Sequence, residues 1–397
     1  MRFRMGKVFL IIIMILTLSL SLCKKEKDDG QNYFPTYFTC QGTIDTYNNT
    51  TLVSKDNNLI ICGNTNDSGM FLLKISKAGT LIWKNAFTNE TKYVSSGVTE
   101  NLNGELFVFG SCGDNYDFLN KVFIAKISDF GDTLWTKIYN SVSLETGKFI
   151  INTLDNNLLI CSNYLTQDGA SWGLSFRKID YNGNILWRKF MDDTVILYPN
   201  HLLETESGDY IMTGIRPGLY SKYPSEEIYL LKLDHNGNKL WDKKVGPARS
   251  WGYCTIELSN GNTLTCGSQL VDSVNRIILI KMDALGNLNW IKKYGSENLY
   301  YSGQSMKLNS DETITIATSS YDFKLQQNDL MLLKIDPEGH LLWIKSHGDP
   351  KNNEIAYNLI KDFNDDNIIT GTINSSSSDN NSKSIFMTKF DSDGNIK

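Results

Sequence analysis

From about residue 50 to the end of the chain, short apolar runs alternate with polar clusters of Asn, Asp, Gly and Ser. Residues 51–54 and 59–63 flank Asn57-Asn58, and residues 255–258 and 262–267 flank Asn260-Gly261. Apolar runs of this length around such turns predict β-hairpins, and no segment holds a helical period long enough to compete. A second hairpin follows each of these, and its turn has a fixed wording: Lys, two residues, two turn residues, Gly, three residues, Trp. It reads Lys74…Gly79…Trp83, Lys126…Gly131…Trp135, Lys178…Gly183…Trp187, Lys232…Gly237…Trp241, Lys281…Gly286…Trp290 and Lys334…Gly339…Trp343, and ends as Lys389…Gly394. Asp caps such a turn and Gly accepts its positive φ. Pro337 suits the second turn position, where φ near −65° is needed.

The copies recur roughly every 52 residues, which marks a repeat architecture with two hairpins, hence four strands, per repeat. Four-stranded units arranged radially are propeller blades. The expected fold is all-β: a single seven-bladed β-propeller over residues 34–397. The seventh repeat lacks its Trp strand. Counting back from Gly63 by the usual Trp-to-strand spacing reaches Thr36, so residues 34–42 are expected to supply that strand beside 386–391, with Tyr37 or Phe38 replacing the indole. An N-terminal strand completing the last blade removes an open edge from the ring. The six tryptophans Trp83, Trp135, Trp187, Trp241, Trp290 and Trp343 are expected to dock blades.

The motif resembles the repeats of quinoprotein-like (PQQ-like) propellers and of bacterial lipoproteins built from tandem propeller repeats, as in the segment from Leu332 to Trp343. That resemblance lies in scaffold residues and implies fold, not function. Quinoprotein dehydrogenases characteristically have eight blades and an adjacent cysteine pair; this chain has seven repeats and no adjacent cysteines. A propeller lipoprotein that helps assemble outer-membrane proteins is similar, again with eight blades.

The first thirty residues change the picture. Arg2, Arg4 and Lys7 precede an uncharged, mainly apolar run over 8–22 and then Cys23. This is a secretory signal, too short for a comfortable span. Leu20-Ser21-Leu22-Cys23 resembles the lipobox of bacterial lipoproteins, which implies lipidation at Cys23, a signal peptide over 1–22 and a solvated tether over 23–33. The expected location is the bacterial cell envelope, at the outer membrane, facing either side. Net charge is −5 without a basic block, which disfavours nucleic acid.

Chemistry is sparse. The motif lysines read as stems over apolar rim surface, and Asp180, Asp234, Asp283, Asp336 and Asp391 as turn residues, since no copy reaches the glutamate an EF-hand requires. Glu204 and Glu257, on the innermost strands of neighbouring repeats, are the one candidate for paired carboxylates. Of the six later cysteines, Cys62, Cys161 and Cys266 fall at equivalent repeat positions and lie too far apart to join; Cys254 and Cys266 remain as possible partners. No metal, cofactor or catalytic constellation is indicated.

Tight turns between first and second and between third and fourth strands share one face. The other connections read as longer and share the opposite face, which carries Tyr116, Phe118, Tyr164, Trp172, Tyr220, Tyr223, Trp251, Tyr300, Tyr321 and Phe323. Aromatics over a rigid scaffold suit recognition. The expectation is a monomeric, lipid-anchored binding or scaffolding module whose partner is a protein or glycan of the envelope. The alternative is an enzyme: a quinone-dependent dehydrogenase, or a glycan-cleaving propeller using Glu204 and Glu257.

Overall fold

The computed structural model describes residues 23–26, 36–40, 50–64, 69–87, 92–113, 121–140, 143–166, 169, 172–191, 197–216, 226–296, 299–349, 352–375 and 384–397. Every regular element among them is a strand, and the strands form seven antiparallel sheets. Six have four strands in sequence order; blade 3, for example, runs Glu145–Asn152, Leu158–Leu165, Trp172–Ile179 and Ile185–Met191. The first strand of each blade meets the first strands of its neighbours, so these seven line the central axis. The expected seven-bladed propeller is the observed fold.

The second and third strands are apolar on both faces because each blade is sandwiched between two others. In blade 3, Phe149, Cys161 and Phe176 pack against Leu202, Tyr210 and Leu231 of blade 4. Ile150, Leu158 and Ile160, one residue out of phase and therefore on the opposite face, pack against Phe107, Phe109 and Ile124 of blade 2. Outer strands are half-exposed, as Ile185–Met191 shows.

Thr36–Cys40 is the fourth strand of blade 7, pairing Thr36 with Met387, Tyr37 with Phe386 and Phe38 with Ile385. The expected closure by the N-terminal strand is therefore present. In the other blades the tryptophan pairs with the motif lysine, as Trp187 does with Lys178. Tyr37 and Phe38 stand short of Lys389, so neither takes the indole's place, and that part of the expectation is corrected. Blade 7 meets blade 1 through Tyr357, Ile368 and Ile385 against Leu59, Ile61 and Phe71, and through Thr51 to Thr370 at 3.0 Å. The ring is closed.

Cys23–Glu26 forms a fifth strand outside Thr36–Cys40, with Cys23 opposite Cys40. The expected solvated tether thus starts as a strand, because Thr36–Cys40 would otherwise present an unpaired edge.

Each motif tryptophan lies over the glycine of the next blade's turn. A Cβ on Gly237 would sit 2.7 Å from the Trp187 ring, and the same juxtaposition joins Trp83 to Gly131, Trp135 to Gly183, Trp241 to Gly286, Trp290 to Gly339 and Trp343 to Gly394. Two residues on, and so on the same strand face, Lys137, Lys189, Lys243, Lys292 and Lys345 donate to the same turns at 2.5 to 3.2 Å. Four of them also lie over their own indole at 5.1 to 5.7 Å. All six tryptophans are half-buried.

Two predictions concern this frame. Trp187→Ala and Gly237→Val break one contact from its two sides, so each should lower the unfolding free energy by about 3 kcal/mol. Because they share that contact, urea unfolding of the double variant should show a loss well below the sum. Deleting residues 24–42 should lower the thermal midpoint sharply, whereas deleting 24–30 strips only the fifth strand and should leave it nearly unchanged; equal midpoints would contradict the closure.

Candidate functional site

The channel is shaped by one irregularity repeated around the ring. First strands are bulged between Ser95 and Gly97, Gly147 and Phe149, Pro199 and His201, Gly252 and Cys254, Gly303 and Ser305, and Ala356 and Asn358. A bulge adds a residue, bends the strand and re-aims its side chains. In blades 2, 4, 5 and 7 glycine on the paired strand makes room for the bend: a Cβ on Gly267 would meet the Trp251 carbonyl oxygen at 2.0 Å. Bulged residues then stitch blades together. Ser96 Oγ donates to Gly147 O at 2.9 Å and Asn200 Nδ2 to Gly252 O at 2.7 Å.

Just past the bulges the innermost strands present His201, Cys254, Ser305 and Asn358 in consecutive blades. With Tyr253 and Lys307 these residues help line a cavity of about 400 Å³. First strands run toward the tight turns, so Lys307 and Lys361, near their ends, place the cavity's basic wall at the turn side.

At the positions of those lysines other blades carry Glu100, Glu204 and Glu257. Glu204 accepts from Leu154 N at 2.6 Å, Glu257 from Glu206 N at 2.6 Å and Glu100 from Lys55 N at 2.8 Å. Burial raises the pKa of all three. Each carboxylate thereby clasps the first turn of the preceding blade, and Glu204 and Glu257 are committed to different turns. The motif lysines are also committed. Lys74 binds Asp56, Lys126 Glu105, Lys178 Asp155, Lys232 Asp209, Lys334 Asp311 and Lys389 Asp362, at 2.6 to 3.1 Å; Lys281 reaches Glu338 of the next blade instead. The turn aspartates spend their oxygens internally: Asp180 Oδ1 accepts from Asn182 N and Asn184 N, and Oδ2 from Asn184 Nδ2.

The opposite face differs from expectation in several places. Val271 pairs with Val274 through the two-residue turn Asp272-Ser273, both at positive φ, so blade 5 has a tight second-to-third connection where a long one was expected. Asp-Ser is a weak signal for that primed turn compared with Asn-Gly. Tyr116, Phe118, Tyr220 and Tyr223 lie outside the described residues. Tyr164 is buried, edge-on to Phe190 at 4.9 Å, and Gly173 opposite it leaves room for the ring. Trp172 opens a third strand opposite Leu165 instead of standing in a loop, and is half-buried like the motif tryptophans. Trp251 is on an innermost strand.

Only one group converges among the described members. Tyr300 and Tyr321 are cross-strand partners in blade 6, and Phe323 caps them edge-on at 6.4 and 5.3 Å. Phe323 is 52% exposed and Leu325 beside it 70%.

Sequence reasoning missed two buried ionic features on this face. Glu145 grips Arg177 bidentately at 2.5 and 2.6 Å, with both side chains fully buried, and also meets Arg188 at 3.0 Å. Burial opposes its ionisation, but Arg177 and Ser162 hold its pKa below the usual value. At the equivalent position of blade 7 stands Glu354, also fully buried, with no such cation among the described residues. Burial, reinforced by Asp329 and Asp349, pushes its pKa up to about 7.

No family model matches the chain, and no curated protein does. Solved structures match in fold. An ulvan lyase of polysaccharide lyase family PL25 superposes with a TM-score of 0.60 at 10% identity, over 90% of this chain and 95% of that one. Polysaccharide lyase Uly1 gives 0.55 at 10%, over 91% and 93%. Puromycin hydrolase gives 0.58 at 9% over 90% of this chain, which spans about half, 54%, of the hydrolase. Binding and enzymatic propellers share this scaffold, so the likeness identifies the fold alone.

Glu354 yields a prediction with a definite sign. Its folded pKa, about 7, exceeds the ordinary 4.5, so the folded state holds the proton more tightly. The resulting stability is present below pH 4.5 and is lost as pH rises through about 7. Thermal melts of Glu354→Gln should lack this component of decline and exceed the parent most above pH 7. A wild-type midpoint that rises across this window relative to the variant would refute the assignment.

Proposed function

We propose that the protein is a lipid-anchored recognition module of the bacterial envelope, tethered through Cys23, that binds an envelope glycan or protein on the face opposite the tight turns. The observation that carries this reading is the convergence of Tyr300, Tyr321 and Phe323 at one exposed corner of blade 6. Rings with polar edges beside Asp322 and Asn328 offer a stacking surface and hydrogen-bonding groups together, which suits a sugar chain best. The opposite face is used up by its own turns: lysines, carboxylates and aspartates there are joined to one another or to neighbouring blades.

A glycan-cleaving reading has one specific support, the channel, where His201, Tyr253 and Lys307 stand on consecutive blades around a cavity. Glu204 and Glu257 do not supply it, since each holds a turn amide. A quinone-dependent dehydrogenase is less favoured, given seven blades.

Envelope glycans screened against the soluble domain should find a ligand whose affinity falls by about 2 kcal/mol, or roughly thirtyfold, in Tyr321→Ala and in Phe323→Ala with unchanged thermal midpoints. Lys77→Glu and Asp393→Lys, on the turn side, should bind as the parent does. Loss confined to those two turn-side variants would overturn the choice of face, and release of new sugar ends from the bound glycan would turn the reading to an enzyme.

A further inference from the structure

The cysteines of this propeller do not have equivalent surroundings. Cys112 is opposed across its ladder by Tyr93 and Cys161 by Phe149, and Cys62 hydrogen-bonds through its N–H to Thr50 O. In blade 5 a thiol stands on both strands: Cys254, just past the bulge of the first strand, is the register partner of Cys266 on the second. Directly opposed residues of an antiparallel pair have Cα atoms about 4.5–5.5 Å apart, inside the range a disulfide spans. Neither is in a disulfide; the Cys254 thiol donates to Met306 O at 3.9 Å and lies within reach of the Cys266 thiol.

Their surroundings are unequal. Cys266 is sealed among Leu279 and its neighbours, whereas Cys254, only 3% exposed, borders the channel cavity. The cavity, about 400 Å³, has room for a molecule as small as hydrogen peroxide. His201, at the same register one blade back, reaches Cys254 and accepts from Thr255 N at 3.5 Å; Lys307 approaches from the next blade. The hydrogen bond from Cys266, then His201 and Lys307, hold the Cys254 thiol below its usual pKa, while Cys266 is held above. A thiolate beside cationic or imidazole groups is the reactive form of cysteine.

We propose that Cys254 and Cys266 are a peroxide-oxidisable dithiol opening on the channel. His201 takes the Cys254 proton, and the thiolate attacks one oxygen of hydrogen peroxide. The O–O bond breaks, Cys254 becomes a sulfenic acid, and the departing hydroxide leaves as water with the proton from His201. The Cys266 sulfur then attacks the Cys254 sulfur. An S–S bond forms, the S–O bond breaks, and hydroxide departs as a second water with the Cys266 proton. Two thiols and one peroxide give one disulfide and two waters. This chemistry is independent of the ligand read from the long-loop face.

The test treats the folded, full-length chain with hydrogen peroxide, blocks remaining thiols and maps peptides without reduction. The expected product is a cross-link between the Cys254 and Cys266 peptides. Cys266→Ser should stop at a dimedone-trapped sulfenic acid on Cys254, and His201→Gln, with an unchanged thermal midpoint, should slow oxidation by about a hundredfold. If both thiols survive peroxide in the folded chain under conditions that oxidise the denatured chain, the proposal fails, and this arm needs no variant. A cross-linking parent whose Cys266→Ser form never traps an adduct on Cys254 would overturn Cys254 as the attacking thiol.

Discussion

An indole lying over the glycine of the next blade's turn is the contact on which the rest of this ring depends. No blade is stable alone, because its middle strands are apolar on both faces and need a neighbour on each side. Tryptophan fixes the angle at which the neighbour arrives, since only a residue without Cβ lets the ring approach, and φ near +76° at Gly237 restricts the position to glycine for a second reason. The lysine two residues on covers the ring and bonds the same turn, so apolar and polar docking act at one point. Blade 7 is the exception that shows the rule, for its outer strand comes from the other end of the chain and carries no tryptophan.

This arrangement also decides where function can reside. Most tight turns are held twice, by their own aspartate or acid–lysine pair and by the preceding or following blade. Altering such a turn disturbs a joint. The channel wall and the far face are held less uniformly, and there the blades differ: one position past the bulge is Phe149, His201, Cys254, Ser305 or Asn358 depending on the blade. A repeated scaffold becomes specific only where its copies diverge, and divergence is concentrated in those two places.

The repeat made the fold legible because docking chemistry recurs every time the chain comes round. Trp and Gly recur at fixed spacing in sequence even though they meet across blades, and the turn aspartates bond within their own turns. The lysine that follows five of the six tryptophans by two residues recurs as well, and was readable in principle. What the chain could not disclose is which unlike residues meet across blades. Cys254 and Cys266 were visible as a possible pair, but His201 beside them depends on a bulge that shifts register by one residue, and bulges have no reliable signature here. Trp172 and Tyr164 were assigned to loops because the strands extend further than their apolar runs suggest. Glu204 and Glu257 looked alike in sequence and are alike in structure, yet each is partnered by a backbone amide of a different turn, which no side-chain pattern reveals.

Closure joins residues such as Thr51 and Thr370, which are 319 apart in sequence. Closing a loop of that length instead of one blade's length costs only about 1.6 kcal/mol more, because the entropy grows with the logarithm of length. A single interblade face, with Leu59, Ile61 and Phe71 against Tyr357 and Ile385, offsets that several times over at about 25 cal/mol per Å² of apolar surface. The thermodynamic penalty of a ring is therefore small, and the larger consequence is kinetic, since contacts of such separation form late. Blades 2 to 6 assemble from near neighbours, while the joint between Thr36–Cys40 and Ser384–Phe390 waits for both chain ends. With Cys23 held in a membrane, as proposed, one of those ends is fixed within a few residues of the joint. Such an anchor would narrow the search that closure requires, and would put the last strand to dock at the membrane-proximal edge of the ring.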